Sequence, residues 1–141
     1  MKTKLIVLGA VVGLILLVFG VDYLISVVRI RSVVFVMDHP PRAMADSKAK
    51  VEFHLQVTEK GRPRAGDLMQ AWVQQGDGKL LPLFFFLDED GRGVLTLTPN
   101  VLSLYSKNPL IITVYDLSIG KIVERGKKET YSIELYKPGD S

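Results

Sequence analysis

The stretch that decides the fold is residues 51–75, VEFHLQVTEKGRPRAGDLMQAWVQQ. Apolar and polar side chains alternate from Val51 to Thr58, so one face of this segment is apolar and the other is polar. A period of two is typical of a β-strand with one buried face. The glycines and proline that follow predict a turn, and LMQAWVQQ (68–75) predicts the next strand.

Comparable strand patterns, separated by turn signals, recur along the rest of the chain. No amphipathic helix pattern follows residue 28. Seven short strands in one domain of this size predict an all-β sandwich with Greek-key connections. The predicted strands are 32–37, 51–58, 68–75, 80–87, 94–99, 110–116 and 131–137.

Two turn motifs lie between residues 50 and 100. In the first, a strand ending in V-T is followed by G-x-P-x-x-G, and in the second, D-x-x-G-x-G precedes a strand of alternating apolar residues and threonines. The matching residues are Val57, Thr58, Gly61, Pro63, Gly66, Asp88, Gly91, Gly93, Thr96 and Thr98. In these motifs the chain resembles the bacterial immunoglobulin-like domains of the invasin type.

That resemblance implies a seven-stranded immunoglobulin-like sandwich over residues 29–141. Such domains usually lie outside the cytoplasm and act as spacers, adhesive modules or docking subunits. This chain departs from the family in carrying one such domain instead of a tandem array, which disfavours a long-reach spacer or adhesin.

Residues 1–28 are predicted to be a single transmembrane helix or an uncleaved signal anchor. Residues 5–21 are continuously apolar, and after Asp22 the apolar run resumes. As a helix, residues 5–28 are about 36 Å long, enough to cross a hydrocarbon core of about 30 Å. A cleaved signal peptide is the alternative, because the charged start and apolar middle are present. The lack of an Ala-x-Ala site disfavours cleavage.

Glycines of this segment share one helical face. At about 100° per residue, Gly9, Gly13 and Gly20 fall within about 40° of one another, and Leu16 lies beside them. Gly9 and Gly13 form a G-x-x-x-G pair, which permits close approach of a second helix. The predicted helix-packing residues are therefore Gly9, Gly13, Leu16 and Gly20, although glycine is also common in membrane helices generally.

The positive-inside rule favours a cytoplasmic N-terminus only slightly, because Lys2 and Lys4 stand against Arg29 and Arg31. An immunoglobulin-like fold of the extracytoplasmic kind favours the same orientation. Three residues, 29–31, separate the apolar segment from the first predicted strand, and they reach at most about 10 Å. We therefore expect the domain to lie close to the membrane surface.

A partner-binding face is predicted on the third and fourth strands. Asp77-Gly78 favours a two-residue hairpin turn, in which Ala71 faces Phe84 and Met69 faces Phe86 on the inner side. The outer side would then carry an apolar cluster, which is typical of a protein interface. The predicted contacts are Trp72, Leu83 and Phe85. A different register, or a covering loop, is the alternative.

Catalytic and metal-binding patterns are lacking. The chain has no cysteine, which excludes disulfides and thiolate chemistry. From residue 29 onward, 16 Lys/Arg stand against 14 Asp/Glu, a net charge of about +2 that gives no nucleic-acid-binding pattern. The acidic group in DEDGRG (88–93) fits a hairpin turn better than a calcium loop. We expect no enzyme activity, cofactor, metal or small-molecule substrate.

The sequence thus predicts a non-enzymatic, membrane-anchored immunoglobulin-like subunit that docks onto a larger membrane or cell-surface assembly. It would be a single-pass protein, with the N-terminus in the cytoplasm and the C-terminal domain outside. Its partners would be the bilayer and a membrane protein or a second copy of itself. The alternative is a secreted or surface module that binds a ligand adhesively after signal cleavage.

Overall fold

A computed structural model of the protein describes residues 1–105, 109–119 and 126–139. One long helix, α1 (Lys2–Ser32), precedes a β-rich domain that also holds a short 3₁₀ helix (Val101–Tyr105). The strands are β1 (Val33–Asp38), β2 (Arg42–Met44), β3 (Val51–Glu59), β4 (Arg62–Pro63), β5 (Leu68–Gln75), β6 (Gly78–Leu81), β7 (Phe84–Phe86), β8 (Arg92–Pro99), β9 (Leu110–Asp116) and β10 (Lys127–Tyr136).

The strands form two sheets of five. The first has the order β1-β3-β8-β6, with β4 paired to the end of β3, and the second has the order β2-β10-β9-β5-β7. The short β2 runs parallel to β10, and the other pairs are antiparallel. The mostly β architecture predicted from the sequence is therefore observed.

The core lies between the two sheets and follows the predicted alternation. In β3, Phe53, Leu55 and Val57 are buried, while His54 and Gln56 between them point outward. Met69 of β5 and Ile112 of β9 reach the same core from the opposite sheet. Truncating a core side chain as large as Phe53 typically costs about 3–5 kcal/mol, so this layer holds the sandwich together.

The strand predicted over residues 80–87 is wrong, because the chain changes sheets within it. β6 pairs with β8 in the first sheet, whereas β7 pairs with β5 in the second. Pro82 stands at the break, where its missing N–H cannot continue a ladder. The observed strands over the described residues therefore number ten instead of seven, since β2 and β4 also form in segments predicted as loops.

The predicted hairpin at Asp77-Gly78 is also wrong. Asp77 lies in the connection between the two sheets and Gly78 begins β6, and Asn100 and Ser103 hold the connection through backbone and hydroxyl hydrogen bonds to Asp77. Met69 lies opposite Phe85, one residue away from the predicted partner Phe86. A shift of one residue exchanges the two faces of a strand.

α1 continues directly into the sandwich. The helix includes residues 29–31, which the sequence suggested as a connection, and β1 begins at Val33 in extended conformation. At 31 residues, α1 is about 46 Å long. By length and composition it is a candidate membrane span, a test that a signal sequence also passes, and its most apolar stretch is not buried against the sandwich.

Candidate functional site

The end of α1 is joined to the sandwich by a bidentate ion pair. Arg29 Nε lies 3.1 Å from Glu59 Oε1, and Arg29 Nη2 lies 3.3 Å from Glu59 Oε2. Ser32 adds a hydroxyl hydrogen bond of 3.4 Å to the same carboxylate, and its carbonyl accepts the Lys60 N–H. Paired guanidinium and carboxylate groups fix orientation as well as contributing energy, so the direction of α1 is set by the last residue of β3.

Arg64 extends this pair into the domain. Its Nη1 lies 2.7 Å from Glu59 Oε2, its Nε donates to Asp67, and the same nitrogen is 3.7 Å from Asp116 Oδ2. The Arg64 side chain is only 8% exposed, so these carboxylates must offset the free-energy cost of burying its positive charge. The Arg29 guanidinium, opposed in part by burial, holds the pKa of Glu59 below its usual value.

Asp116 is the innermost member of this cluster. It is fully buried at the end of β9, and its Oδ1 accepts the Ser118 N–H at 2.9 Å. Its Oδ2 has no hydrogen-bond partner among the described residues. Burial, with the neighbouring Asp67 carboxylate adding to the effect, raises the pKa of Asp116 to about 7. Its protonation state therefore changes near neutral pH.

The turn residues of the two sequence motifs build this junction. Lys60 (φ 50°) and Gly61 (φ 78°) form a two-residue turn between the paired Glu59 and Arg62. Gly91 has φ 69°, and a Cβ there would lie 2.6 Å from the Val57 carbonyl oxygen. Only glycine permits so close an approach at that backbone angle. The turn chemistry therefore brings the β3–β4 and β7–β8 connections together, and Lys60 of the β3–β4 turn contacts the end of α1.

The cluster of Glu59, Arg64, Asp67 and Asp116 was not predicted from the sequence, although the position of Asp116 in its strand gave one signal. In β9, Leu110, Ile112 and Val114 occupy inward positions, and Asp116 continues the same phase. A carboxylate at an inward position needs a buried cation or a proton. The identity of that cation, Arg64, depends on how the turns pack and does not follow from spacing.

The predicted outward position of Phe85 is wrong, because the actual register turns it inward. Phe85 is half-buried against the core, where a Cβ on Gly93 would meet its ring. Trp72 is half-buried on the outer face, and the Lys128 Nζ lies 5.8 Å from its ring centroid. Leu83 is 47% exposed. As partner contacts, Trp72 and Leu83 remain predictions.

Exposed apolar side chains cluster on the edge strand instead. Phe84 is 52% exposed and Phe86 is 71% exposed, and β7 pairs with β5 on one side only. We call Leu83, Phe84 and Phe86 the aromatic edge. An exposed apolar edge strand favours association with another chain unless something covers it.

The predicted helix-packing residues lie on the exposed helix. A Cβ added to Gly9, Gly13 or Gly20 would meet nothing within 4 Å, and Leu16 is 67% exposed. Their role in packing stays a prediction. Within the described residues, no group of three or more His, Asp or Glu side chains is placed to hold a metal ion. In DEDGRG, Asp88 Oδ1 instead accepts the N–H groups of Asp90 and Arg92, as a turn requires.

No protein-family model matches the chain, and no curated protein matches it. Among solved structures, it is similar to the D00-D0 domain of Intimin, with a TM-score of 0.48 and 15% identity. It is also similar to the D0-D1 domain of Intimin, with a TM-score of 0.49 and 14% identity. Both matches cover 71% of this chain, which spans only 45% and 47% of those structures. This likeness says nothing of what this chain binds.

Proposed function

We propose that the protein is a non-enzymatic, membrane-anchored immunoglobulin-like subunit that docks onto a larger membrane or cell-surface assembly. The observation that carries this proposal is the junction at Arg29, Glu59 and Arg64, which joins α1 directly to the sandwich, while the most apolar stretch of α1 is uncovered. A helix that serves only as an export signal needs no ion pairs to the domain that follows it.

The junction makes α1 and the sandwich suited to act as one unit. Ile30 packs against the core beside the ion pairs, and the Lys127 ammonium donates to the Val33 carbonyl oxygen. A domain held this way presents the same face to a membrane neighbour at all times. We propose an N-terminus in the cytoplasm and a sandwich outside, an orientation that the flanking charges favour slightly and the fold type favours further.

Two surfaces are proposed as partner contacts. Within the bilayer, the face formed by Gly9, Gly13, Leu16 and Gly20 is open to a second helix, where small residues permit close backbone approach. Outside the bilayer, the aromatic edge offers exposed rings on an edge strand that is paired on one side only. Within the described residues neither surface has a covering element, as a docking role requires.

Detergent pull-down of the tagged full chain tests this proposal. Gly13→Leu should weaken partner recovery, whereas Val11→Leu, on the opposite side of α1, should leave it unchanged. Likewise, Phe86→Ser should weaken recovery, and Val94→Ser, an exposed apolar residue of the other sheet, should not. Equal recovery of the partner with all four variants would contradict the proposal for both surfaces.

The alternative, a secreted or surface module that binds a ligand adhesively, is favoured by one observation. α1 lies near the N-terminus, where a signal sequence passes the same length and composition test. Recovery of the protein from the medium without its first 20 or so residues would support that alternative. Recovery in the membrane with α1 attached would support the anchored subunit.

A further inference from the structure

A basic cleft lies where α1 meets the sandwich. It has a volume of about 840 Å³, and Arg29, Lys60, Arg62 and Arg64 contribute to its lining. Glu59 and Asp67 line it as well. We call this cleft the junction cleft. From its position and charge, and resting on the proposed membrane anchoring, we propose that the junction cleft binds the headgroup phosphate of an anionic phospholipid.

The charges of the cleft leave two cations in excess. Arg29 is paired with Glu59, and Arg64 is paired with Glu59 and Asp67. Lys60 and Arg62 are exposed, and neither has an ion-pair partner among the described residues. A guanidinium offers a bidentate fork to phosphate, and an ammonium adds a point charge. The excess cations are therefore of the kind that binds a phosphate.

The backbone at Lys60 is a second observation. Lys60 has φ 50° and Gly61 has φ 78°, as expected for the two central positions of a type I′ turn. Asn, Asp or Gly is preferred at the first of these positions, and a lysine there is conformationally costly. A residue that opposes its local backbone preference is a reason to look for a function. Binding of a phosphate by the Lys60 ammonium, beside the cleft, is such a function.

The cleft also lies at the right depth. If Asp22 marks the edge of the hydrocarbon, Arg29 is seven residues, or about 10 Å, beyond it. If the hydrocarbon instead surrounds the apolar stretch as far as Val28, Arg29 lies at the edge of the hydrocarbon. The headgroup layer is about 5–8 Å thick on each side of the bilayer. In both placements the junction cleft lies within or beside the phosphates.

The test uses the full chain in detergent micelles, loaded with equimolar phosphatidylglycerol and phosphatidylcholine of the same acyl chains. Native mass spectrometry counts the lipid retained by each molecule. The double variant Lys60→Asn/Arg62→Gln should lose preference for phosphatidylglycerol by about fivefold for each cation removed. Its melting temperature should not fall, because asparagine suits the backbone at position 60.

The matched control is Lys48→Gln/Lys79→Gln. These two lysines line another cleft, at the opposite end of β3, about 25–30 Å away, and their replacement removes the same charge. Retained preference in this control, with loss in the first variant, supports the proposal. Equal preference in both variants, equal loss in both, or no preference in the wild type would overturn it.

A third arm separates lipid from free phosphate. Inorganic phosphate added at the lipid concentration should leave the retained phosphatidylglycerol in place; displacement at that concentration would assign the cleft to free phosphate and overturn the lipid proposal. Alkaline carbonate washing of membranes that contain the wild type tests the anchoring separately. Extraction by carbonate contradicts the proposed function, whereas a retained protein without lipid preference contradicts only this inference.

Discussion

Asp116 couples the stability of the sandwich to pH. Burial raises its pKa to about 7 from an ordinary value of 3.8, so the folded protein holds a proton that the unfolded chain has lost. The free energy of unfolding should therefore fall as pH rises from about 4 to about 7, by at most about 1.4 kcal/mol per pH unit. The fluorescence of Trp72, the single tryptophan, reports urea unfolding at each pH.

Two comparisons distinguish the effect of Asp116 on stability from the effects of other titrating groups. They are the pH dependence that Glu59 contributes and the variant Asp116→Asn. Glu59 has a lowered pKa, so its contribution is present above about pH 4.5 and is lost on further acidification. Since the contribution of Asp116 is lost above about pH 4 and that of Glu59 is lost below about pH 4.5, stability should pass through a maximum between these two values. Asp116→Asn keeps an oxygen for the Ser118 N–H and removes the titration. A slope between about pH 5 and 7 that survives in this variant would assign the effect to another group.

Phe85 and Phe86 are neighbours with opposite surroundings. Phe85 packs against the core, so Phe85→Ala should lower the free energy of unfolding by about 2–4 kcal/mol. Phe86 is 71% exposed, so Phe86→Ala should change it by less than about 0.5 kcal/mol. The same urea titration measures both variants. The reverse order would restore the register predicted from the sequence.

At the scale of elements, the sequence predicted most strands but misplaced the one that contains Pro82. Alternation identifies β3, β5, β8 and β9 because each has one face in the core. The run from residue 80 to 87 is apolar on both faces, so periodicity cannot show that the chain changes sheets within it. The one-residue error in register followed from treating that run as a single strand.

The ion pairs at the junction should restrict the motion of α1 against the sandwich. Because the chain has no cysteine, spin labels can be placed at Val18→Cys on α1 and Ser132→Cys on β10. Pulsed electron paramagnetic resonance should give a narrow distance distribution, which Glu59→Gln broadens by removing the charge that pairs with both guanidinium groups. Glu52→Gln, at the other end of β3, is the control. Equal widths in all three proteins would mean that Glu59 does not hold α1.

At the scale of the whole molecule, the sequence predicted an apolar helix followed by a mostly β domain, and the structure has this order. Each part could be predicted from the sequence because it depends on a local pattern. The helix depends on the length of an apolar run, and the β domain depends on the alternation of apolar and polar residues. The junction between them could not be predicted from the sequence, because its side chains meet only after the domain has folded. These side chains are Arg29, Glu59, Arg64 and Asp116. The proposed role rests on that junction.

The central claim is that α1 stays attached and holds the sandwich at the membrane. The most direct measurement is the intact mass and N-terminal sequence of the protein recovered from carbonate-washed membranes of expressing cells. We expect the protein to stay in the membrane pellet with residues 5–28 present. Recovery only in the soluble fraction, with a mass that lacks this segment, would contradict it.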